Sequence, residues 1–347
     1  MKRVWGAAKF VGRWAGPALL ILAFTLLVFP PTPFGEASVT PALWAVILCA
    51  VAFVLARGPA NRKRRLLLGL AVCAGLALYG WRSWDERRGY REETIAFDSQ
   101  GTRLVGTLFL PERSGTVPGM VFLPGSGAVP RSFYRHYAAH FAKLGFAVLL
   151  YDKRGIGDSE GKVATRNFLD TDADNNFEQL AIDASAALSF LEKRSEVRRD
   201  LVGISGVSEG GWIAPRAAEL NGQAAFMLNI TSPTIRLYDV LEYQVANQGL
   251  SGRELAVAKH RFAADFDPLP SLRVINIPGM WIMAEGDSLV PNEPTIRILD
   301  GLRASGKPYE YRMISGAWHG LIIAPKSLVL STIDDWLAKV TKTHKAT

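Results

Sequence analysis

Hydrophobic residues are distributed differently in the two parts of the chain. Before residue 92 they form three nearly continuous apolar runs, at about 15–30, 42–56 and 66–81. After residue 92 they form short runs, typical of buried strands, which alternate with segments of helical periodicity. The pattern predicts two domains, a membrane anchor over 1–90 and a folded domain over 91–347.

Each apolar run is near the lower limit of about 17 residues that a membrane-spanning helix needs. We expect about three transmembrane helices, because tryptophans lie at the predicted membrane edges: Trp14, Trp44, Trp81 and Trp84. The first run resembles the apolar core of a signal peptide, but no small-residue cleavage site follows it, which favours an uncleaved anchor. A soluble helical subdomain is the alternative.

The positive charge of the chain is concentrated beside these apolar runs. The net charge is +8, and residues 1–92 hold 13 Lys and Arg against 4 Asp and Glu. The remaining residues hold 27 basic and 28 acidic side chains, so the folded domain is nearly neutral. This distribution indicates control of membrane topology and argues against a nucleic-acid partner.

Basic residues also predict the orientation in the membrane. They lie at the N-terminus and in the loop after the second run, whereas residues 31–41 contain none. The N-terminus and the second loop are therefore expected in the cytoplasm, and three crossings place the folded domain on the extracytoplasmic side. If only two runs span the membrane, that domain faces the cytoplasm.

The folded domain has the pattern of a mostly parallel, doubly wound α/β sheet. The first two predicted strands form a hairpin around Gly101, and the others alternate with helices such as 175–193. The predicted strands are 93–98, 103–110, 118–124, 146–151, 201–206, 224–230, 279–284 and 308–314.

Cysteine and metal chemistry are not expected in this domain. The only cysteines, Cys49 and Cys73, lie within the N-terminal apolar segments. No cluster of His, Asp and Glu resembles a metal-ligand set, so we expect neither a metal nor a cofactor.

Ser208 is the candidate nucleophile. It lies at the centre of Gly206-Val207-Ser208-Glu209-Gly210, between an apolar strand and a helix-like segment. A serine at the apex of such a turn adopts a strained backbone conformation, and flanking glycines let the strand and the helix approach closely. An ordinary Gly/Ser turn is the alternative.

A serine nucleophile requires a base and an acid that orients the base. Among five histidines, His319 lies in a glycine-flanked loop just past the last strand and is the candidate base. Asp287 follows Gly286 at the end of the preceding strand and is the candidate acid, with Glu285 as the competitor. A loop histidine that caps the next helix and an ordinary Gly-Asp turn are the alternatives.

The developing oxyanion requires backbone N–H donors. One predicted donor is the N–H of Glu209, directly after the nucleophile. The other comes from the glycine-rich loop after the third strand, where Ser126 is the first choice and Gly127 the second. A turn shaped only for compactness is the alternative for this loop.

The chain from about 93 to 340 resembles the α/β-hydrolase superfamily, and most of all the bacterial esterase branch of dienelactone-hydrolase-like and serine-aminopeptidase-like domains. Five motifs carry the resemblance, in family order: 124–127, 151–161, 206–211, 286–287 and 318–320. The resemblance implies that Asp152 and Arg154 form a framework ion pair near the site. In this fold an insertion such as 234–277 typically covers the pocket, so a lid that selects the substrate is expected, and a plain scaffold helix pair is the alternative.

These features predict a serine hydrolase anchored in a bacterial inner membrane, which cleaves carboxylic esters through an acyl-enzyme. The expected substrate is a small-molecule or lipid-like ester. A serine peptidase and an acyltransferase use the same machinery and remain alternatives. A non-catalytic protein that binds a lipid or a partner is the alternative from another class.

Overall fold

The computed structural model describes residues 88–163, 176–249, 252–260, 265–319 and 326–343. Within these ranges, no helix is both long enough and apolar enough to cross a membrane. The three predicted membrane segments, with Cys49 and Cys73, lie outside the described residues.

Eight strands form one sheet in the order β1-β2-β4-β3-β5-β6-β7-β8. The β1–β2 and β2–β4 pairs are antiparallel, and every other neighbouring pair is parallel. The predicted hairpin and the mostly parallel sheet are therefore confirmed. The strands are β1 (Tyr90–Ser99), β2 (Thr102–Pro111), β3 (Val117–Leu123), β4 (Ala147–Tyr151), β5 (Val197–Val207), β6 (Met227–Ile230), β7 (Gly279–Ala284) and β8 (Tyr309–Ile314).

The burial of side chains distinguishes the central strands from an edge strand. Every residue of β4, β6 and β7 is buried, as expected for parallel strands that are covered by helices on both faces. In contrast, β1 alternates buried and exposed residues near its end, because it forms the edge of the sheet. The predicted strand at 224–230 begins three residues too early, because residues 224–226 are buried but precede the ladder.

Helices cover both faces of the sheet. Helices α1 and α8 pack on one face through Phe141 and Trp336, and α2 and α3 pack on the other through Leu188 and Ala217. The helices are α1 (Arg135–Leu144), α2 (Phe177–Glu192), α3 (Glu209–Asn221), α4 (Leu237–Asn247), α5 (Gly252–His260), α6 (Leu269–Val274), α7 (Asn292–Ala304) and α8 (Lys326–Thr343). A 3₁₀ turn, Arg131–Tyr134, precedes α1.

The insertion between β6 and β7 contains α4, α5 and α6, while residues 250–251 and 261–264 lie outside the described part. Helix α4 is tied to the loop that follows β7. Tyr243 Oη donates to the backbone oxygen of Asp287 at 3.0 Å, and Gln244 Nε2 donates to that of Leu289 at 2.9 Å. This helix therefore supports the loop that carries the predicted acid.

The predicted ion pair between Asp152 and Arg154 is wrong. Asp152 instead pairs with Arg131. Arg154 pairs with the fully buried Asp183, at 2.5 and 2.7 Å. The resemblance indicated a structural role for both residues but not their partners, which come from distant parts of the chain.

Candidate active site

The backbone of Ser208 is strained, as the sequence predicts. Ser208 has φ 52° and ψ −115°, between the last residue of β5 and the first residue of α3. A positive φ is uncommon for residues other than glycine and costs about 1–3 kcal/mol at a strained site. The Ser208 N–H donates to the Ile230 oxygen at 2.9 Å, and its own oxygen accepts from Gly211 N at 2.9 Å. These two hydrogen bonds fix the turn between the sheet and the helix.

Two glycines of the motif are required by close contacts. A Cβ atom at Gly206 would lie 2.3 Å from the backbone of Gly210, and one at Gly211 would lie 2.0 Å from Ser232 Cβ. Both distances are far inside van der Waals contact, so at these positions α3 packs directly against β5 and against the residues that follow β6. The turn therefore cannot form in this shape with larger residues.

The structure brings Ser208, His319 and Asp287 together. His319 Nε2 lies 3.0 Å from Ser208 Oγ, and His319 Nδ1 lies 2.8 and 3.0 Å from the two Asp287 oxygens. An ionised carboxylate only accepts hydrogen bonds, so the Nδ1 atom carries the proton and Nε2 presents its lone pair to the hydroxyl. This is the arrangement in which an imidazole can take the proton of a serine.

Backbone groups hold the Asp287 carboxylate. Asp287 is 6 % exposed, and its Oδ1 accepts from the N–H groups of Leu289 at 2.9 Å and Val290 at 2.8 Å. These two hydrogen bonds fix the orientation of the carboxylate toward the imidazole.

Glu285, the competing acid, has another role. Its Oε2 accepts from Gly316 N at 2.9 Å, in the turn that leads to His319. The neighbouring Gly286 N donates to the oxygen of Ala317 at 2.7 Å. Both contacts join the loop after β7 to the loop after β8, and Asp287, not Glu285, contacts the imidazole.

The glycine-rich loop after β3 lies beside the serine. A Cβ atom at Gly125 would lie 3.6 Å from Ser208 Cβ. Ser126 is exposed, and Gly127 is buried with φ 94°. Glu209 begins α3, and the N-terminus of a helix directs N–H groups toward a ligand. The assignment of Glu209, Ser126 and Gly127 as oxyanion donors stays a prediction.

Sequence reasoning missed two side chains that contact this loop. The hydroxyl of Tyr134 accepts from Gly125 N at 3.1 Å, and Lys153 Nζ donates to the Gly125 oxygen at 2.7 Å. Burial raises the pKa of Tyr134 to about 12, so the phenol stays neutral near pH 7. Lys153 lies within the motif at 151–161, but the sequence gives no sign that it reaches residue 125.

Comparisons with known proteins agree with this fold. A family model described as X-Pro dipeptidyl-peptidase (S15 family) matches residues 100–267. A thiohydrolase of Aspergillus aculeatus is 30 % identical over 191 residues, which are 54 % of this chain and 56 % of the thiohydrolase. The chain thus spans little more than half the length of that relative.

Solved structures are similar in fold at low sequence identity. An esterase of Pyrococcus furiosus has a TM-score of 0.57 at 18 % identity, over 72 % of this chain and 91 % of the esterase. An acylaminoacyl peptidase of Pyrococcus horikoshii has a TM-score of 0.58 at 16 % identity, over 74 % and 43 % of the two chains. The sheet order and these structural similarities show that the chain has the α/β-hydrolase fold.

The close contact at Gly206 predicts that alanine substitutions at two glycines change the stability of the protein in opposite directions. We expect Gly206→Ala to lower the free energy of unfolding by about 1–3 kcal/mol, because the added methyl group meets rigid backbone. The control is Gly301→Ala in α7, where a Cβ would meet nothing within 4 Å. That variant is expected to raise stability by about 0.5–1 kcal/mol, through better helix propensity. Equilibrium denaturation of the full-length protein measures both, and equal effects would contradict the close-contact argument.

Proposed function

We propose that the protein is a serine hydrolase that cleaves carboxylic esters through an acyl-enzyme. The observation that carries the proposal is the hydrogen-bonded series Ser208, His319 and Asp287, at 3.0 and 2.8 Å. The nucleophile comes from the turn after β5, and the orienting acid and the base come from the loops after β7 and β8, in the chain order expected of an α/β-hydrolase.

In the first half-reaction, Ser208 Oγ attacks the acyl carbonyl while His319 Nε2 takes the hydroxyl proton. The carbonyl π electrons move to oxygen, and the N–H groups of Glu209 and Ser126 stabilise the resulting oxyanion. Collapse of the intermediate breaks the bond to the leaving oxygen, which receives the proton from His319. Asp287 keeps the imidazole oriented and stabilises its cationic form.

In the second half-reaction, water attacks the acyl-enzyme with His319 again as base. The acid is released, and Ser208 regains its proton. The names of similar proteins support this reading, because they include an esterase and a thiohydrolase.

The specific observation for a peptidase is the match of residues 100–267 to an X-Pro dipeptidyl-peptidase model. Amide and ester cleavage use the same triad, so the leaving group must be decided by experiment. A panel of p-nitrophenyl esters, acyl thioesters and aminoacyl-proline amides separates the two functions. We expect kcat/KM to be highest for an oxygen ester, and an amide preference would favour the peptidase.

Substitutions test the roles of the nucleophile Ser208 and of Asp287, the acid that orients the base. We expect Ser208→Ala to abolish ester hydrolysis, and Asp287→Asn to lower kcat by about 10⁴-fold, because the imidazole loses its orienting acceptor. The assay is the initial rate of p-nitrophenyl ester cleavage by purified protein.

The matched control is Ser205→Ala, three residues upstream in β5. Ser205 is fully buried, and its hydroxyl makes no hydrogen bond within the described part of the chain. That variant should keep wild-type activity. Retained activity in Ser208→Ala, or binding of esters without any Ser208-dependent turnover, would contradict the proposal and favour a non-catalytic protein.

The sequence pattern over 1–90 supports the further proposal that the enzyme is attached to a membrane, with its catalytic domain on the extracytoplasmic side. Alkaline phosphatase and green fluorescent protein, each fused after residue 347, report this orientation. We expect an active phosphatase and a dark fluorescent protein. The reverse result would indicate an even number of membrane crossings, and release of the fusion into the soluble fraction would refute the anchor.

A further inference from the structure

A buried ion pair next to Ser208 joins the segment after β4 to the first residue of α3. Lys153 is 2 % exposed and Glu209 is 3 % exposed, and Lys153 Nζ lies 3.0 Å from Glu209 Oε1. Lysine and glutamate are almost never fully buried unless they are paired. Burial lowers the pKa of Lys153, and the neighbouring Glu209 carboxylate opposes that shift by favouring the ammonium form.

The same ammonium group has a second partner, the loop after β3. Lys153 Nζ donates to the Gly125 oxygen at 2.7 Å, while the N–H of Gly125 donates to Tyr134 Oη at 3.1 Å. Gly125 is therefore fixed through both of its backbone polar groups. Since it lies next to Ser208, any tilt of this residue changes the surroundings of the nucleophile.

The Gly125 oxygen and the Ser126 N–H belong to one planar peptide group. In a trans peptide these two groups point in opposite directions, so a donor that fixes the oxygen also fixes the direction of the N–H. A cation at the oxygen also draws electron density toward it, which makes the N–H a stronger donor. Lys153 thus acts on the N–H group of Ser126 without touching the substrate.

We propose that Lys153 is a positioning residue, which orients and polarises the Gly125–Ser126 peptide toward the oxyanion and ties it to Glu209. This inference rests on the proposed function, because it assigns a role within that reaction. One ammonium group then links the two residues that carry the predicted donors, Glu209 and Ser126. A pair of apolar residues could fill the same space without loss of stability, but it could not orient a peptide group.

The test uses Lys153→Met and the double variant Lys153→Met/Glu209→Gln. The double variant leaves no unpaired buried charge and carries the test if the single variant folds poorly. We expect kcat/KM for the best ester to fall by up to about 10²–10³-fold, the usual effect of losing one oxyanion donor. We expect KM to change by less than about threefold, because the contact acts in the transition state.

A second measurement separates positioning from general damage. A trifluoromethyl ketone with the acyl chain of the best ester forms a tetrahedral adduct with Ser208, whose oxyanion resembles that of the transition state. Its affinity should fall by the same factor as kcat/KM.

The matched control is Arg154→Met/Asp183→Asn, which removes the neighbouring ion pair between the partly buried Arg154 and the buried Asp183, at 2.5 Å. It should change thermal stability without changing kcat/KM or the affinity of the ketone at temperatures where the protein is folded. Equal losses of kcat/KM in the control and the Lys153 variants would show a structural role and overturn the inference.

Unchanged kcat/KM in a folded Lys153 variant, or lost activity with unchanged ketone affinity, would overturn it while leaving the proposed function intact. Absence of Ser208-dependent turnover in the wild-type protein would instead remove the proposed function and this inference together.

Discussion

The strained turn at Ser208 is the constraint on which the rest of the site depends. With φ 52°, the residue leaves β5 and enters α3 without an intervening loop, so its side chain is held at the edge of the sheet. The strain of about 1–3 kcal/mol is offset by the packing of both elements and by hydrogen bonds to Ile230 and Gly211. A relaxed backbone at this residue would turn its Cα–Cβ bond, and with it the hydroxyl, away from the imidazole.

The parallel sheet places the other groups within reach of this turn. The strands β5, β7 and β8 end at the same edge. The turn at Ser208 and the loops that carry Asp287 and His319 therefore meet there, although the residues are far apart in sequence. Contacts between loops then fix the distances. Gly286 binds the oxygen of Ala317, and Tyr243 of α4 binds the oxygen of Asp287. The insertion therefore acts on the candidate site at least as a support for the acid.

The central strands and the turn at Ser208 could be predicted from local sequence. Apolar runs located the central strands, because buried parallel strands tolerate few polar residues. The glycines around Ser208 revealed the turn. Loop position after a strand was enough to select Asp287 and His319. The ionic partners could not be predicted in the same way. Asp152 and Arg154 were paired wrongly, and the contacts of Lys153 were missed, because these bonds join residues 21 to 56 positions apart.

The proposed reaction depends on the reactivity of the Ser208 hydroxyl. The most direct measurement treats the full-length wild-type protein with a fluorophosphonate probe and maps the adduct by peptide mass spectrometry. The account predicts a single adduct on Ser208, formed much more slowly in His319→Gln than in His140→Gln, whose histidine pairs with Asp334 at 2.8 Å. An adduct on another residue, no adduct at all, or equal labelling rates in the two histidine variants would contradict it.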